Sequence, residues 1–134
     1  MTSIRKVIHI DASPDQVWDA LRDVGALHER LVPGFVTSTR MEGNARIVTF
    51  ENGMVAREEI VGIDEDERRV AWAIVGGQFR HYNGAARVTE DDDGGSRFVW
   101  TADLLPDELA SQVESMMSVG ILVIKKTLEG AAAQ

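Results

Sequence analysis

Cysteine is absent from this chain of 134 residues. Its absence excludes thiol nucleophiles, thiolate zinc sites and disulfide bonds, and it is compatible with a reducing compartment. The N-terminus lacks a secretory signal, and no apolar run approaches the ~20 residues needed to span a bilayer. We therefore expect a cytoplasmic protein with no membrane insertion. The length and even composition predict a single domain over residues 1–134.

Basic residues are scarce relative to acidic ones. The chain has 14 Lys and Arg against 22 Asp and Glu, for a formal net charge of -8. An acidic surface repels nucleic acid and anionic membranes, and the sequence offers no local basic patch, so we expect no nucleic-acid partner. Eight carboxylates fall at 64–67 and 90–93, where hairpin turns are predicted. They lack the spacing of a calcium loop, so we interpret them as solvated turns.

The sequence also lacks the common motifs of nucleophilic, phosphate-binding and metal chemistry. No nucleophile elbow is present, and Gly76-Gly77 lies inside a predicted hairpin rather than before a helix. The three histidines, His9, His28 and His81, do not have the spacing of paired metal ligands. We therefore expect neither a metal nor a cofactor.

The N-terminal segment predicts a strand followed by two short helices. Residues 4–11 are rich in β-branched side chains, as strands are. The sequence SPDQ at 13–16 is a capping box with proline at the first helical position. Trp18 lies in the apolar stripe of this helix and is interpreted as a core anchor. Gly25 ends the helix, and a second short helix is predicted over residues 26–31.

The central segment predicts six consecutive antiparallel strands. Gly43-Asn44 and Asn52-Gly53 are strong two-residue hairpin signals, because the tight primed turns need positive φ. Longer loops follow at 64–68, 76–78 and 91–95. The predicted strands cover residues 35–42, 45–51, 54–63, 69–75, 79–90 and 96–105.

The C-terminal segment, residues 106–129, predicts a long amphipathic helix. At ~1.5 Å per residue it would be roughly 36 Å long, so it needs a partner surface as wide as a small domain. Pro106 fits the first turn, and Gly130 is expected to stop the helix. The predicted inner face consists of Leu109, Val113, Met116, Met117, Gly120, Ile121, Ile124 and Leu128.

Strand alternation and loop length predict which side chains face the helix. On the fifth of the six strands the apolar or small residues alternate with polar ones, so the former should point inward. A loop one residue shorter would invert each inference, in which case Glu59 would replace Glu58 on the inner face. The predicted cross-strand pairs are Val88 with Phe98, Ala86 with Trp100, Trp72 with Tyr82, Ile60 with Trp72, and Glu58 with Ile74.

The inward set mixes very large side chains with very small ones. Gly84 lies on the same predicted face as Tyr82, and Gly120 interrupts the apolar face of the helix, although glycine there costs about 1 kcal/mol relative to alanine. Two interpretations remain open. In the first, the small residues are holes for opposing rings in a packed core; in the second, a curved sheet gripping one helix encloses a cavity that Met116 and Met117 help to line.

Four stretches, read together with this order of elements, carry a resemblance. They are IDASPDQVW at 10–18, Pro33-Gly34, Glu58 six residues before Asp64, and DDGGSRFVW at 92–100. With them the chain resembles the START/Bet v 1-like (SRPBCC) superfamily, and more narrowly its polyketide cyclase/dehydrase and lipid-transport group. The resemblance implies an α+β helix-grip fold: a seven-stranded curved antiparallel sheet, two short helices after the first strand, and a long C-terminal helix packed across the concave face. It implies an internal pocket rather than a particular reaction.

Glu58 and Tyr82 are the candidate catalytic residues. An inward Glu58 among apolar neighbours would be partly desolvated and could act as a general acid or base. Alternatively, it pairs with Arg46, Arg57 or Arg80, or it is exposed. Tyr82 could line a pocket and orient a ligand through its hydroxyl, or be an interior tyrosine bonded to Glu58 or a water.

The candidate ligand-binding residues combine the inner faces of the strands and the long helix with the second short helix. His28 is included because members of this fold open their pocket near that helix, although an exposed histidine is the commoner outcome. The full candidate set is Leu27, His28, Leu31, Glu58, Ile60, Trp72, Ile74, Tyr82, Phe98, Trp100, Met116, Met117, Gly120 and Ile121.

Three functions are compatible with this sequence. The first is binding of a small hydrophobic or aromatic, lipid- or polyketide-like ligand between the sheet and the C-terminal helix. The second, implied by the resemblance, is a polyketide cyclase/aromatase-type enzyme that uses Glu58 or Tyr82 for proton transfer. The third is a chaperone-associated interaction module, which would have a packed interior and an exposed apolar patch. A homodimer is compatible with each of them.

Overall fold

The computed structural model describes all 134 residues as a curved antiparallel sheet, two α-helices and several short helical turns. The sheet has seven strands in the order β1-β7-β6-β5-β4-β3-β2, so each strand pairs with its sequence neighbour except that β1 pairs with β7. The strands are β1 (Thr2–Ile10), β2 (Val36–Glu42), β3 (Ala45–Phe50), β4 (Val55–Asp64), β5 (Arg69–Ile74), β6 (His81–Glu90) and β7 (Ser96–Leu105). This architecture confirms the predicted α+β helix-grip fold.

Helix α1 spans Pro14–Arg22 and begins with the predicted capping box. The Ser13 side chain accepts a hydrogen bond from the Gln16 backbone, and the Gln16 side chain accepts one from the Ser13 backbone. The predicted second short helix is confirmed as a π-helical turn over Leu27–Leu31, which follows a 3-10 turn over Val24–Ala26.

Helix α2 spans Ala110–Ala132 and follows a 3-10 turn over Asp107–Leu109. The prediction that Gly130 stops the helix is wrong, because Gly130 does not adopt the positive φ of a terminating glycine. The chain continues with alanines, which favour helix more than any other residue. The helix therefore extends beyond the predicted end at residue 129.

The pairing of β6 with β7 confirms the predicted register, with Val88 opposite Phe98 and Ala86 opposite Trp100. The pairing of β4 with β5 also confirms Ile60 opposite Trp72 and Glu58 opposite Ile74. The turn and strand geometry that produce the β4–β5 register differ from the prediction. Asp64 pairs with Arg69, so the turn has one residue fewer than predicted, and a β-bulge at Val61 restores the register on the far side.

The predicted pairing of Trp72 with Tyr82 is wrong. Trp72 lies opposite Gly84, because β5 ends at Ile74 and β6 begins at His81, which leaves a longer connection than the one predicted. The error is two residues, so Trp72 and Tyr82 still point to the same face of the sheet. Trp72 occupies the space left by Gly84: a Cβ atom there would lie 2.5 Å from Trp72 Cε2.

The core lies on the concave face and has two parts. The larger part includes Trp18, which anchors α1 as predicted, and Ile121 from α2. A smaller part joins α2 to β1, β6 and β7. Its buried members are Ile4, Tyr82, Ala102, Leu104, Val113 and Met117. Helix α2 contacts β1 and β7 among the strands, so it covers one half of the concave face and leaves the other half to shorter elements.

Candidate functional site

A cavity of about 490 Å³ lies on the concave face, towards the half of the sheet that α2 does not cover. Of its 31 lining residues, 22 are hydrophobic, and the volume falls within the ~300–1,000 Å³ range of small-molecule sites. The wall is built by β3, β4, β5, β6, β7, the connection between β5 and β6, the π-helical turn and one face of α2. A cavity therefore remains beside a packed core, in which Trp72 and Trp100 lie against the small residues Gly84 and Gly120.

A buried ion pair forms the most polar part of the cavity wall. Arg46 and Glu58 are direct cross-strand neighbours on β3 and β4, and Arg46 Nε donates to Glu58 Oε1 over 2.7 Å. Their side chains are only 5% and 8% exposed. Arg46 Nη1 also donates to the Val24 carbonyl, and the guanidinium carbon lies 5.3 Å from the centre of the Trp72 ring. Of the alternatives for Glu58, the structure shows pairing with Arg46.

Tyr82 lies in the wall near this pair, is 4% exposed, and makes no hydrogen bond to Glu58 or to any other group. Burial raises the pKa of the Tyr82 hydroxyl, and the negative charge of Glu58 raises that pKa further. The phenol is therefore protonated at neutral pH. It is suited to donating a hydrogen bond and is a poor general base.

Trp100, another residue of the cavity wall, has a buried donor that does not reach the cavity surface. Its indole Nε1 is buried and has no hydrogen-bond partner in the protein. Buried donors without partners are uncommon in native structures. The far edge of the ring rests on α2 at Gly120, where a Cβ atom would lie 3.0 Å from Cζ3. Gly120 thus makes the space in which the indole lies against the helix.

The structure brings nine of the fourteen candidate residues into the cavity wall. They are Leu27, Leu31, Glu58, Trp72, Ile74, Tyr82, Phe98, Trp100 and Met116. A binding role for each of them remains a prediction.

Five candidates lie outside the wall, and the prediction of a cavity position is corrected for each. Met117 joins the solid core against β1 and β7, and Ile60 and Ile121 join the larger core. Gly120 is covered by the Trp100 ring. His28 is half-buried on the π-helical turn, with Nε2 lying 3.2 Å from Glu29 Oε1.

Several wall residues were not among the sequence candidates. Phe50 follows Arg46 on β3 at even spacing, so strand alternation carried a signal for it. Gln112 precedes Met116 by four residues on α2, so helical spacing carried one too. Met54 and Phe79 lie outside the strands, where no periodicity applies.

No group of three or more His, Asp and Glu side chains lies close enough together to hold a metal ion. None of the helices combines the length and the apolar content required to cross a bilayer.

Comparison with solved structures finds the same fold in several bacterial proteins. An uncharacterized protein from Bacillus thuringiensis matches with a TM-score of 0.84 and 19% identity, over 95% of this chain and 98% of the other. The protein XoxI from Bacillus cereus matches with a TM-score of 0.81 and 21% identity, over 100% and 97%. A protein from Nitrosospira multiformis matches with a TM-score of 0.83 and 14% identity, over 99% and 100%. At these identities the likeness establishes the fold alone.

Sequence comparison assigns the chain to a family but does not identify its function. No curated protein matches the chain. The family model described as polyketide cyclase / dehydrase and lipid transport matches residues 1–132. This match agrees with the curved sheet, the long C-terminal helix and the cavity between them, and it confirms the resemblance inferred from the sequence. The chain belongs to the polyketide cyclase/dehydrase and lipid-transport family, a family of the SRPBCC type.

Proposed function

We propose that this protein binds a small, neutral, mainly apolar molecule in the cavity and holds a hydrogen-bond acceptor of that molecule with Tyr82. The observation that carries the proposal is a mostly apolar cavity whose wall includes Tyr82, a protonated phenol that makes no hydrogen bond within the protein. Membership in a family described by polyketide cyclisation and lipid transport supports a hydrophobic ligand.

The apolar character of the ligand follows from the wall. Burying apolar surface stabilises a complex by roughly 25 cal/mol per Å². The indole of Trp72 and the side chains of Phe98 and Met116 present flat or adaptable apolar surface. A largely hydrocarbon or aromatic ligand gains most from such a wall.

The neutral charge of the ligand follows from the ion pair. Arg46 and Glu58 already compensate each other at 2.7 Å, and the two other charged wall residues, Glu51 and Arg57, have opposite signs, so the wall has no net charge to offset a charged ligand. Desolvating an unpaired charge is costly. A carboxylate or an amine on the ligand is therefore disfavoured relative to a ketone, an ester or a hydroxyl.

The acceptor on the ligand follows from the Tyr82 hydroxyl. The protonated Tyr82 hydroxyl makes no hydrogen bond within the protein, and it gains one if the bound molecule or a water supplies an acceptor. A hydrogen bond of this kind contributes about 1 kcal/mol. The ligand is therefore expected to carry a carbonyl or hydroxyl oxygen on its apolar body.

An enzyme of the polyketide cyclase/aromatase type is the second candidate. It is favoured by Glu58, which lines the cavity and makes its hydrogen bond to Arg46 through Oε1 only. Glu58 would transfer the proton and Tyr82 would hold the carbonyl oxygen. If Glu58→Gln and Tyr82→Phe abolish turnover of a polyketide while ligand affinity persists, the enzyme is supported; if they change affinity alone, it is rejected. The chaperone-associated module is disfavoured, because it would have a packed interior.

Isothermal titration with three matched probes tests the binding proposal. Acetylnaphthalene is neutral with a carbonyl, ethylnaphthalene has the same shape without an acceptor, and naphthoate is anionic. We expect acetylnaphthalene to bind about fivefold more tightly than ethylnaphthalene, as one hydrogen bond of ~1 kcal/mol requires. Naphthoate should bind most weakly. Equal affinities for all three, or tightest binding of naphthoate, would contradict the proposed ligand chemistry.

Two variants of α2 localise the site. Met116→Trp places a larger side chain in the cavity wall and should reduce acetylnaphthalene affinity by about tenfold or more. Val119→Trp is the matched control, because Val119 is 55% exposed on the same helix and outside the wall. Unchanged affinity in Met116→Trp would show that the probe binds elsewhere.

A further inference from the structure

The outer, convex face of the sheet gathers arginines that the sequence keeps apart. Nine of the 14 Lys and Arg side chains form ion pairs within the chain. The remaining five are Arg5, Arg69, Arg80, Arg97 and Lys126. Three of these five, Arg5, Arg69 and Arg97, border one depression on the convex face, together with Arg87. The expectation that the chain has no basic patch is therefore wrong at the level of the fold.

Strand pairing brings these residues together. Arg69 and Arg87 are direct neighbours on β5 and β6. Arg5 on β1 and Arg97 on β7 pair with residues whose side chains lie on the same face of the sheet as Arg69 and Arg87. Their side chains alternate with those that face the cavity, so they project from the opposite side of the sheet. The relevant cross-strand pairs are Arg69 with Arg87, Arg87 with Val99, Arg5 with Thr101, and Thr89 with Arg97.

The convex patch, formed by Arg5, Arg69, Arg87 and Arg97, has a net positive charge in a chain of formal charge -8. Of the four arginines, only Arg87 is neutralised, by Glu67 at 3.1 Å. The carboxylate of Asp91 lies near Arg97, but its hydrogen bond is to His9 at 2.8 Å. Three guanidinium groups thus face solvent without an ion-pair partner despite an excess of carboxylates in the chain.

The dimensions of the patch favour an elongated partner. Arg69 and Arg5 lie on β5 and β1, which are three strand intervals apart in the sheet, or ~14 Å at about 4.8 Å per interval. A single phosphate or carboxylate is too small to reach both ends. An extended peptide places alternate side chains about 7 Å apart, so acidic residues at three alternate positions match the span.

The floor of the depression separates an acidic peptide from other polyanions. It consists of small aliphatic and hydroxyl side chains, including Ala85, Val99 and Thr101. No aromatic ring is present on which a nucleic-acid base could stack. A long nucleic acid would also meet the acidic remainder of the surface, whereas a short segment touches only the patch.

We propose that the convex face of the sheet, at Arg5, Arg69, Arg87 and Arg97, is a docking site for a short extended acidic segment of another protein. Guanidinium groups bind carboxylates through forked hydrogen bonds, which gives such a contact geometric preference as well as charge attraction. The site lies on the opposite side of the sheet from the cavity and does not depend on what the cavity binds.

Fluorescence anisotropy with a labelled peptide of alternating Glu and Ser tests this proposal. A length of about seven residues covers the patch, and about 50 mM salt limits screening of exposed charges. Replacing the three unpaired arginines, Arg5→Gln/Arg69→Gln/Arg97→Gln, should weaken binding by about tenfold, as three exposed contacts of ~0.5 kcal/mol imply. The control Arg40→Gln/Arg80→Gln/Lys126→Gln makes the same change in net charge elsewhere and should change affinity by less than about twofold.

Each alternative has a distinct outcome. An equal loss in both triple variants would mean diffuse attraction, and equal binding of a Gln-Ser peptide would mean no charge recognition; either overturns the proposal. Tighter, patch-dependent binding of an oligothymidylate would identify a nucleic-acid site instead. Self-association in sedimentation that is lost in the patch variant would identify a second copy of this chain as the occupant.

Amide shift mapping on the unaltered protein guards against a variant that fails to fold. On addition of the Glu-Ser peptide, the largest chemical-shift changes are expected at Ala85, Val99 and Thr101. Changes confined to the cavity wall or to α2, or no binding at millimolar peptide, would reject the convex face as the site.

Discussion

The two halves of the concave face are built differently. Where β1 and β7 lie under α2, side chains such as Leu104, Val113 and Met117 fill the interior. Towards β3, β4 and β5 the interior is an open cavity. A helix is ~10–12 Å wide with its side chains, whereas seven strands at about 4.8 Å per interval span nearly 30 Å. One helix therefore cannot cover the whole sheet, and the shorter elements over the remainder leave space.

The buried charged side chains are also confined to one half of the concave face. Arg46 and Glu58 are the only buried charged side chains, and both belong to the open half. Buried ions are costly in a dry, apolar core, because their desolvation offsets their attraction. The open half accommodates this pair through a short hydrogen bond, a backbone carbonyl and the face of Trp72. The following predictions test this contrast, beginning with the largest effect.

Breaking the ion pair should have the largest effect on stability. Glu58→Leu leaves the Arg46 charge buried without its partner and should lower the free energy of unfolding by about 3 kcal/mol or more. Urea unfolding measures this change. The matched double variant Arg46→Met/Glu58→Leu removes both charges and should recover most of the loss. A loss below about 1 kcal/mol in the single variant would mean that water in the cavity already solvates Arg46.

Filling the space at Gly84 should have the next largest effect. A Cβ atom there would lie within 2.5–2.7 Å of three atoms of the Trp72 ring, so Gly84→Ala must displace that ring from Arg46. We expect a loss of about 2 kcal/mol in urea unfolding. Gly62→Ala is the control, because nothing lies within 4 Å of its Cβ position on β4. It should be neutral or stabilising, and equal losses at both positions would implicate strand backbone instead of the ring.

The Tyr82 hydroxyl lies between the two halves and should make stability depend on alkaline pH. Its pKa is raised in the folded state, so the unfolded chain loses this proton first, above the ordinary value of 10.0. The free energy of unfolding should then fall with rising pH, by at most about 1.4 kcal/mol per pH unit. Tyr82→Phe should remove this slope. Tyr82 is the only tyrosine, so tyrosinate absorbance reports it directly and should appear only as the protein unfolds.

Gly120→Ala should have the smallest effect, although it also adds a methyl group against an indole. The Cβ atom would lie 3.0 Å from the Trp100 ring, a much milder overlap than at Gly84, and Trp100 borders the cavity and has room to move. Alanine also gains about 1 kcal/mol of helix propensity, which offsets the contact. We expect a net change within about 0.5 kcal/mol, with weaker acetylnaphthalene binding. A loss as large as that of Gly84→Ala would show that the Trp100 ring cannot shift.

Most of the fold could be predicted from the sequence, because local signals and global order agreed. The capping box at Ser13, the hairpin at Gly43 and the long apolar face before Gly130 each specify one element, and their order matches a known architecture. The end of α2 was missed because a glycine allows a helix to end but does not require it to end. The alanines that follow it favour continuation.

The site was predictable only where a repeating pattern reaches it. Alternation along β4, β5, β6 and β7 placed Glu58, Trp72 and Tyr82 on the cavity side, even where the predicted partner was wrong by two residues. Helical periodicity identified the inner face of α2 but not which half of the sheet it covers, so Met117 was assigned to the cavity wrongly. The convex patch was missed for a related reason: its arginines are far apart in the chain and meet only through strand order.

The β-bulge at Val61 has a consequence for how this sheet can vary. The turn at 65–68 sets one alignment of β4 with β5, and the cavity wall requires another; the extra residue lets both coexist on a single strand. Val61 is 66% exposed, so the bulge does not depend on a contact between its side chain and the core. One residue added to the turn and one removed at Val61 should leave Glu58 opposite Ile74. The turn between β4 and β5 can thus change in length while the cavity wall keeps its shape.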